Sequence, residues 1–582
     1  MKKKFDELDE SEIHVTTYKR KRNNGDVYLY RQYTYYDSDA GYSRTVKSEL
    51  IGKYVGGKGE LVSTRPKRKS AEKATATQKI QMAETLECDE IRAAKIHAGM
   101  MDILSFVGEQ SGIDEDIFSG TDLPTAQKIL SMARFMVANQ SDSLAGVEEF
   151  QYTHLLPYGD GLNKDIYHAL FKDVGIDETL KQTFFRCRLD REEDAAIFVA
   201  YDSTTQSTDS RWLKSARYGM NKSHDGRKTV KLVIVYSMTT NMPVCYYQQE
   251  GNIPDVITVD RLLDQLSALG IRRIVLVADN GYYSESNIDK MLGTGNDVLT
   301  RVETDTTWVR DILLEHHDEL LSVSSALPGD YSMHGLCVEM FWNLEREDGT
   351  MEQIPFNLLL YHNLQLAADE NAGLSETLHR YKAELENGKE LKDYRKPEKT
   401  LIKKCLELTH DEQGVAVAFN NDGIKEASKL NGTFALFSTK YDDPVTTLGL
   451  YRKRGEIESM FRVFKEDVAG QTTHVWGDDT LDGKYFVEFV ALCYEEYLGN
   501  KINEMKKGLG IPNGDPGHDK KTVLNGENRL KKWLESRSLK RILNWFDTNN
   551  QTIVSRKMEA KKWNSETTAR DLLFLEKLGM EV

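Results

Sequence analysis

The chain has 582 residues, 40% hydrophobic and 29% charged, with 77 Lys and Arg against 92 Asp and Glu and a net charge of −15. That length supports roughly two to four domains with cores of their own. No apolar run approaches the roughly 18 residues of a membrane span and the N-terminal MKKKFDELDESE lacks a signal peptide's apolar segment, so the sequence predicts a cytoplasmic protein with no membrane partner.

Residues 13–62 alternate polar and β-favouring residues, with turn signals at Asn23-Asn24-Gly25 and Asp39-Ala40-Gly41, and predict a β-meander domain over 1–66. The segment from Ser63 to Lys79 is polar and basic and reads as a linker. From about Gln81 to Phe185 apolar residues recur at i, i+3 and i+4, so 67–185 is expected to be a linker and helical domain, and with the basic clusters that precede it this is the expected DNA-binding domain. The acidic net charge opposes uniform phosphate binding, but Lys19-Arg20-Lys21-Arg22 and Arg65 with Lys67-Arg68-Lys69 are local clusters able to contact a DNA backbone.

Strand signals follow: AAIFVAYD ending at Asp202, then TVKLVIVYSM, then MPVCYYQQ. A helix (VITVDRLLDQLSALG), a buried strand (RRIVLVAD) ending at Asp279 and a further helix complete the pattern. Three strands, a helix, a strand and a helix is the order of an α/β core of RNase H-like type, a mixed sheet with flanking helices, whose first part spans 186–300. Almost 180 residues separate Asp279 from Glu458, far more than a loop, so 301–432 is expected to be an inserted domain. The core resumes over 433–505 with the strand GTFALFST and a helix carrying Glu458, and 506–582 reads as a helical C-terminal region. Six scattered cysteines without short spacing argue against a zinc module or a disulfide framework.

On that last core helix Tyr451, Arg454, Glu458 and Lys465 fall at offsets 0, 3, 7 and 14. At about 100° per residue they share one arc of roughly 60°, beside an apolar arc of Leu450, Ile457, Met460, Phe461, Phe464 and Val468. Such a stripe alone is more often a solvated face. Together with Asp202 and Asp279, however, Glu458 makes a candidate three-carboxylate site. Three carboxylates repel one another, and divalent metal resolves the repulsion. Two Mg²⁺ (or Mn²⁺) ions suit oxygen ligands and would activate a water or 3′-hydroxyl at a phosphodiester. Arg454 could grip a phosphate, Tyr451 could donate to it, and Lys465 could reach the next phosphates. Trp308 and His474 read as structural residues, although each could serve a nucleic-acid substrate.

The Tyr-x2-Arg-x3-Glu-x6-Lys spacing resembles the signature of DDE transposases of bacterial insertion sequences, the insertion-sequence-four-like group, in its long subgroup with a β-rich N-terminus. Asp279-Asn280-Gly281-Tyr282 is similar to that group's second-aspartate block and Tyr201-Asp202-Ser203-Thr204 to its first. Gly219-Met220-Asn221-Lys222-Ser223 with Arg227, and Gly251-Asn252 with Asp255 and Thr258, resemble further blocks, although Met-Asn-Lys departs from the group's Gly-x-Ser-Lys. The resemblance implies catalytic, metal-binding roles for Asp202, Asp279 and Glu458. It also implies a β-rich insertion, binding to the element's terminal inverted repeats, cleavage, and transfer of 3′ ends to target DNA. Double-stranded DNA would be the partner, a homodimer would form in the synaptic complex, no small-molecule cofactor would be needed, and the protein would work at the bacterial nucleoid. The alternatives are an RNase H-like nuclease without strand transfer and a catalytically silent DNA-binding relic.

Overall fold

The computed structural model describes residues 14–21, 27–37, 41–54, 61–62, 75–84, 92–139, 143–192, 197–219, 225–254, 259–270, 273–346, 348–411, 414–468, 470, 472–510, 518–556 and 559–581. The chain divides into two units, Met1–Ala74 and Thr75–Val582. In the first, β1 (His14–Lys21), β2 (Val27–Asp37), β3 (Tyr42–Tyr54) and β4 (Leu61–Val62) pair in sequence order. Tyrosine, threonine and valine dominate these strands, residues that suit a pleated surface. Lys19, Arg20 and Lys21 are exposed on β1. Arg22, Arg65, Lys67, Arg68 and Lys69 lie outside the described residues.

The second unit opens with α1 (Ala76–Glu84), β5 (Arg92–His97), α2 (Gly99–Gln110), α3 (Ile113–Gly120), α4 (Leu123–Ala138), α5 (Val147–Phe150), α6 (Lys164–Ile176) and α7 (Glu178–Asp190). Local chemistry starts these helices: Asp122 accepts from Thr125 N at 3.1 Å and Pro124 sits in the first turn of α4, while Asn163 accepts from Ile166 N at 3.0 Å to cap α6.

The central sheet is built from β6 (Ile197–Thr208), β7 (Lys228–Ser237), β8 (Met242–Glu250), then α8 (Val259–Ala268), β9 (Ile274–Ala278), α9 (Glu285–Gly293) and β10 (Asp297–Val302). β6, β7 and β8 are antiparallel neighbours, β9 runs parallel to β6, and β10 runs parallel to β9. The resulting order β10-β9-β6-β7-β8 is consistent with an RNase H-like core. Every residue of β9 is buried, as expected for a parallel strand covered on both faces.

The interval expected to be a β-rich insertion departs from that expectation. After α10 (Thr307–Glu315), α11 (His317–Leu320) and β11 (Ala326–Leu327) come β12 (Asp330–Glu345) and β13 (Met351–Asn363), a long hairpin. Next are α12 (Leu364–Glu386), α13 (Lys396–Cys405), β14 (Leu406–Asp411), β15 (Gly414–Phe419), α14 (Asn421–Ala427) and β16 (Thr433–Ser438). β13 pairs with β16 and β16 with β10, so the hairpin extends the central sheet. The reason is that Leu358, Leu359, Leu360 and Tyr361 are buried whichever face they take, which only a sheet interior allows. Only the mainly helical stretch after the hairpin keeps a core of its own, around Leu378, Tyr381, Ile402, Cys405 and Val417.

The chain ends with α15 (Pro444–Lys453), α16 (Gly455–Val463), β17 (Thr472–Thr473), α17 (Asp478–Gly508), α18 (His518–Glu535), α19 (Leu539–Asp547), β18 (Asn550–Arg556), β19 (Glu559–Asn564) and α20 (Ala569–Leu578). The 31-residue α17 is buried almost continuously from Tyr485 to Glu495 and packs on α4 and α6. Gly175 and Gly483 let α6 and α17 touch backbone to backbone: a Cβ on Gly483 would overlap the Phe171 carbonyl oxygen, and one on Gly175 the Asp479 carbonyl oxygen.

A second correction concerns the two regions expected to be helical. Residues of β5 pair with β18, and β18 with β19, in a three-stranded antiparallel sheet that joins the start of the unit to its end. RAAKIH carries no strand pattern of its own, and pairing with the β-branched Thr552, Ile553 and Val554 overrides its helical propensity. Ile96 and Ile553 are buried together with Ala76. Among the described residues no helix is long and apolar enough to cross a membrane.

Candidate active site

The site begins where the parallel ladder between β6 and β9 ends. Its last pair is Ala200 with Val277, so Asp202 and Asp279 each lie two residues beyond it, on adjacent strands. The carboxyl ends of parallel strands are where such sheets open a crevice. Asp202 was expected at a strand end, but β6 continues to Thr208, with Asp202 paired to Ile234 of β7. The polar run Ser203–Thr208 stays in the sheet because it is rich in β-branched threonine and buried throughout. The side chain of Asp202 lies outside the described part of the structure.

Asp279 follows β9 immediately and begins a tight turn, its Oδ1 accepting from Asn280 N at 2.9 Å. Thr300 of β10 donates to its carbonyl oxygen at 3.4 Å. Facing it are α15 and α16. Asp443 caps α15 by accepting from Thr446 N at 2.8 Å, with Pro444 in the first turn. Ile457, Met460, Phe461 and Phe464 bury the inner face of the second helix, which packs against β6. That packing turns the polar residues toward Asp279. Tyr451 donates to Asp279 Oδ1 at 3.3 Å; Arg454 Nη1 lies 3.7 Å from Asp279 Oδ2, and its Nη2 lies 3.3 Å from Glu458 Oε1. The guanidinium also lies 5.5 Å from the centre of the Tyr451 ring. Arg454 is 13% exposed, against 41% for Asp279 and 62% for Glu458, so a half-buried cation holds two carboxylates that still face solvent.

Burial pushes the Tyr451 hydroxyl up to about 12, with Asp279 adding to the shift and Arg454 opposing it. The phenol therefore remains a donor across the physiological range. The exposed oxygen donors of Asp279 and Glu458 fit a hard divalent cation such as Mg²⁺ or Mn²⁺.

The single helical stripe expected over Tyr451–Lys465 is broken in two places. The helix is interrupted at Arg454, where Arg454 N bonds to Tyr451 O and Ile457 N to Arg454 O, one residue short of the α pattern. It then widens into a π-helical turn over Phe464–Val468. Tyr451, Arg454 and Glu458 still converge, but Lys465 leaves the α-helical phase. It lines a cavity of about 1150 Å³ with Lys164 and His168 of α6, Lys484 of α17, His474 and Trp476. Lys164, His168 and Lys484 were not anticipated, because their helices meet this one only through tertiary packing. His474 is exposed there, while Trp308 packs edge-on against Phe356 with centroids 6.2 Å apart.

Two blocks singled out by resemblance are neighbours: a Cβ on Gly219 would overlap the Gly251 carbonyl oxygen, while one on Gly251 would overlap the Thr229 carbonyl oxygen of β7. Arg227 pairs with Asp225 at 2.7 Å and Asp209 at 3.3 Å and donates to Thr472 at 3.1 Å, bracing β17. Met220–Ser223, Asp255 and Thr258 lie outside the described residues.

Residues 194–480 match the model of the transposase DDE domain family, a span that includes Asp202, Asp279 and Glu458 and supports a DDE transposase. No curated protein matches the chain. Among solved structures the chain is similar to a piggyBac transposase seen by cryo-electron microscopy in a synaptic complex with hairpin DNA. The identity is 11%, over 77% of this chain and 82% of that one, with a TM-score of 0.33.

Proposed function

From the transposase DDE domain match over residues 194–480, we propose that this protein is a DNA transposase of the insertion-sequence-four-like group, acting on the terminal inverted repeats of its own element. The observation that carries this reading is the folding of the Tyr451, Arg454 and Glu458 segment over Asp279. In this reading Asp202, Asp279 and Glu458 hold two Mg²⁺ or Mn²⁺ ions, which would supply an activated water or 3′-hydroxyl and stabilise the leaving oxygen. Arg454 and Tyr451 position the scissile phosphate beside the carboxylates, and Lys465 grips the same strand further along. Lys19, Arg20, Lys21 and Arg22, with Arg65, Lys67, Arg68 and Lys69, contact phosphates away from the cut. Two DNA ends act together, so the working form is a homodimer on DNA, in the bacterial cytoplasm at the nucleoid.

The test is incubation of wild-type and Glu458→Ala protein with labelled DNA carrying the inverted repeats that flank its gene, with Mg²⁺ or EDTA. Cleavage at the ends and joining to target by wild type alone, abolished by EDTA, is the expected result. Cleavage without joining would replace the proposal with a nuclease, and end binding without cleavage would replace it with a silent DNA-binding relic.

A further inference from the structure

Outside the carboxylate site, His97 at the end of β5, His154 just after α5 and Asp547 at the end of α19 converge, although Asp547 is 450 and 393 residues from the two histidines. Among the described residues they form the one group of three such side chains whose ligand atoms all lie within 4.8 Å of one another.

The contacts of His154 fix its ring with Nε2 toward Asp547. Its Nδ1 lies 2.9 Å from both the Phe150 carbonyl oxygen and the Thr153 hydroxyl, which hold that edge of the ring. Its Nε2 lies 2.9 Å from Asp547 Oδ1. The other carboxylate oxygen lies 3.2 Å from His97 Nδ1. The His154 ring cannot turn away, being stacked on Phe150 with centroids 3.6 Å apart and its side chain only 8% exposed.

We propose that His97 Nδ1, His154 Nε2 and Asp547 bind one Zn²⁺ ion. Zinc bonds of about 2.0–2.1 Å in a tetrahedron place ligand atoms about 3.3 Å apart; the two nitrogen-to-carboxylate separations are 3.2 and 2.9 Å, and all three ligand atoms lie within 4.8 Å of one another. A ring N–H held by a backbone carbonyl is the arrangement that orients a metal-binding histidine. His97 is partly exposed, leaving the fourth position to water. The ion joins β5, the turn after α5 and the end of α19. Beside it Ala98 N and Gly99 N donate to Asn549 O at 3.0 and 3.2 Å, and β5 pairs with β18. The ion thus anchors the C-terminal sheet, and its free energy of binding is free energy of folding.

The test uses the full chain carrying Asp279→Asn and Glu458→Ala, so that the carboxylate site cannot take the metal, stripped with a chelator and titrated with Zn²⁺ and separately with Co²⁺. Expected are about one zinc per chain at submicromolar affinity, tetrahedral Co²⁺ absorption bands, and a thermal midpoint raised by several degrees. His97→Gln and His154→Gln each weaken binding at least about tenfold. Absence of both zinc uptake and the Co²⁺ bands overturns the proposal and leaves a hydrogen-bonded His154–Asp547 pair. Undiminished binding in folded His97→Gln protein also overturns it. Neither readout depends on DNA cleavage, so failure here leaves the transposase reading untouched.

Discussion

The Tyr451 hydroxyl donates to Asp279 Oδ1 across 3.3 Å, joining the strand-end aspartate to a helix 172 residues later. Because burial pushes that hydroxyl up to about 12, it donates throughout the assayable range. Tyr451→Phe keeps the ring beside Arg454 and removes only the donor. Single-turnover cleavage should fall by about tenfold, the scale of one hydrogen bond to a charged group, with the thermal midpoint unchanged. An alkaline limb below pH 10 that disappears in Tyr451→Phe would contradict the raised hydroxyl.

If the proposed metal ions bind Asp279 and Glu458, Arg454 competes with them, since its guanidinium already shares both carboxylates. Arg454→Ala should therefore tighten Mn²⁺ binding by about fivefold, corresponding to roughly 1 kcal/mol of removed repulsion near a wet surface, while weakening binding to DNA ends. Calorimetric titration of Mn²⁺ and a DNA-binding isotherm measure the two effects. Weaker metal binding in the variant would refute the competition.

Gly483 has no room for a methyl group, because the Phe171 carbonyl oxygen of α6 occupies that space. Gly483→Ala must push α6 and α17 apart, costing about 3 kcal/mol in spite of alanine's better helix propensity. Denaturant unfolding reads this directly. A stabilised variant would mean the helices do not cross at these glycines.

Glu496 titrates high, raised to about 7 by burial and then by the neighbouring Glu456 charge, against 4.5 in an unfolded chain. The folded state binds this proton more tightly. Its contribution to stability is thus full below about pH 4.5 and is lost as pH rises through about 7. Glu496→Gln removes that loss. The variant should gain on wild type as pH rises from 5 to 8, by about 2 kcal/mol once the residue's remaining solvent contact is allowed for. Unfolding curves at several pH values check the slope, and parallel pH dependence in both proteins would refute it.

Asp279 was legible because five apolar residues end on it and an Asn-Gly-Tyr turn follows, so local propensity and burial agree. Tyr451, Arg454 and Glu458 were legible because the apolar residues between them bury one face and leave the polar face outward. Asp202 was misplaced within its strand, since Ser203–Thr208 looks like a polar loop until β7 pairs with it. The break at Arg454 and the π turn at Phe464 escaped a reading that assumed one regular period.

By itself the sequence determined which strands are buried, that Asp279 follows one of them, and which helix face is polar, because these follow from periodicity over a few residues. Only the tertiary structure decided that β12 and β13 join the central sheet, that β5 pairs with β18, that Lys465 faces α6 and α17, and that His97, His154 and Asp547 meet. Each of those contacts joins segments remote in the chain. Their partners compete with many alternatives of similar local propensity, and the choice rests on which pairing buries the most apolar surface while satisfying the backbone.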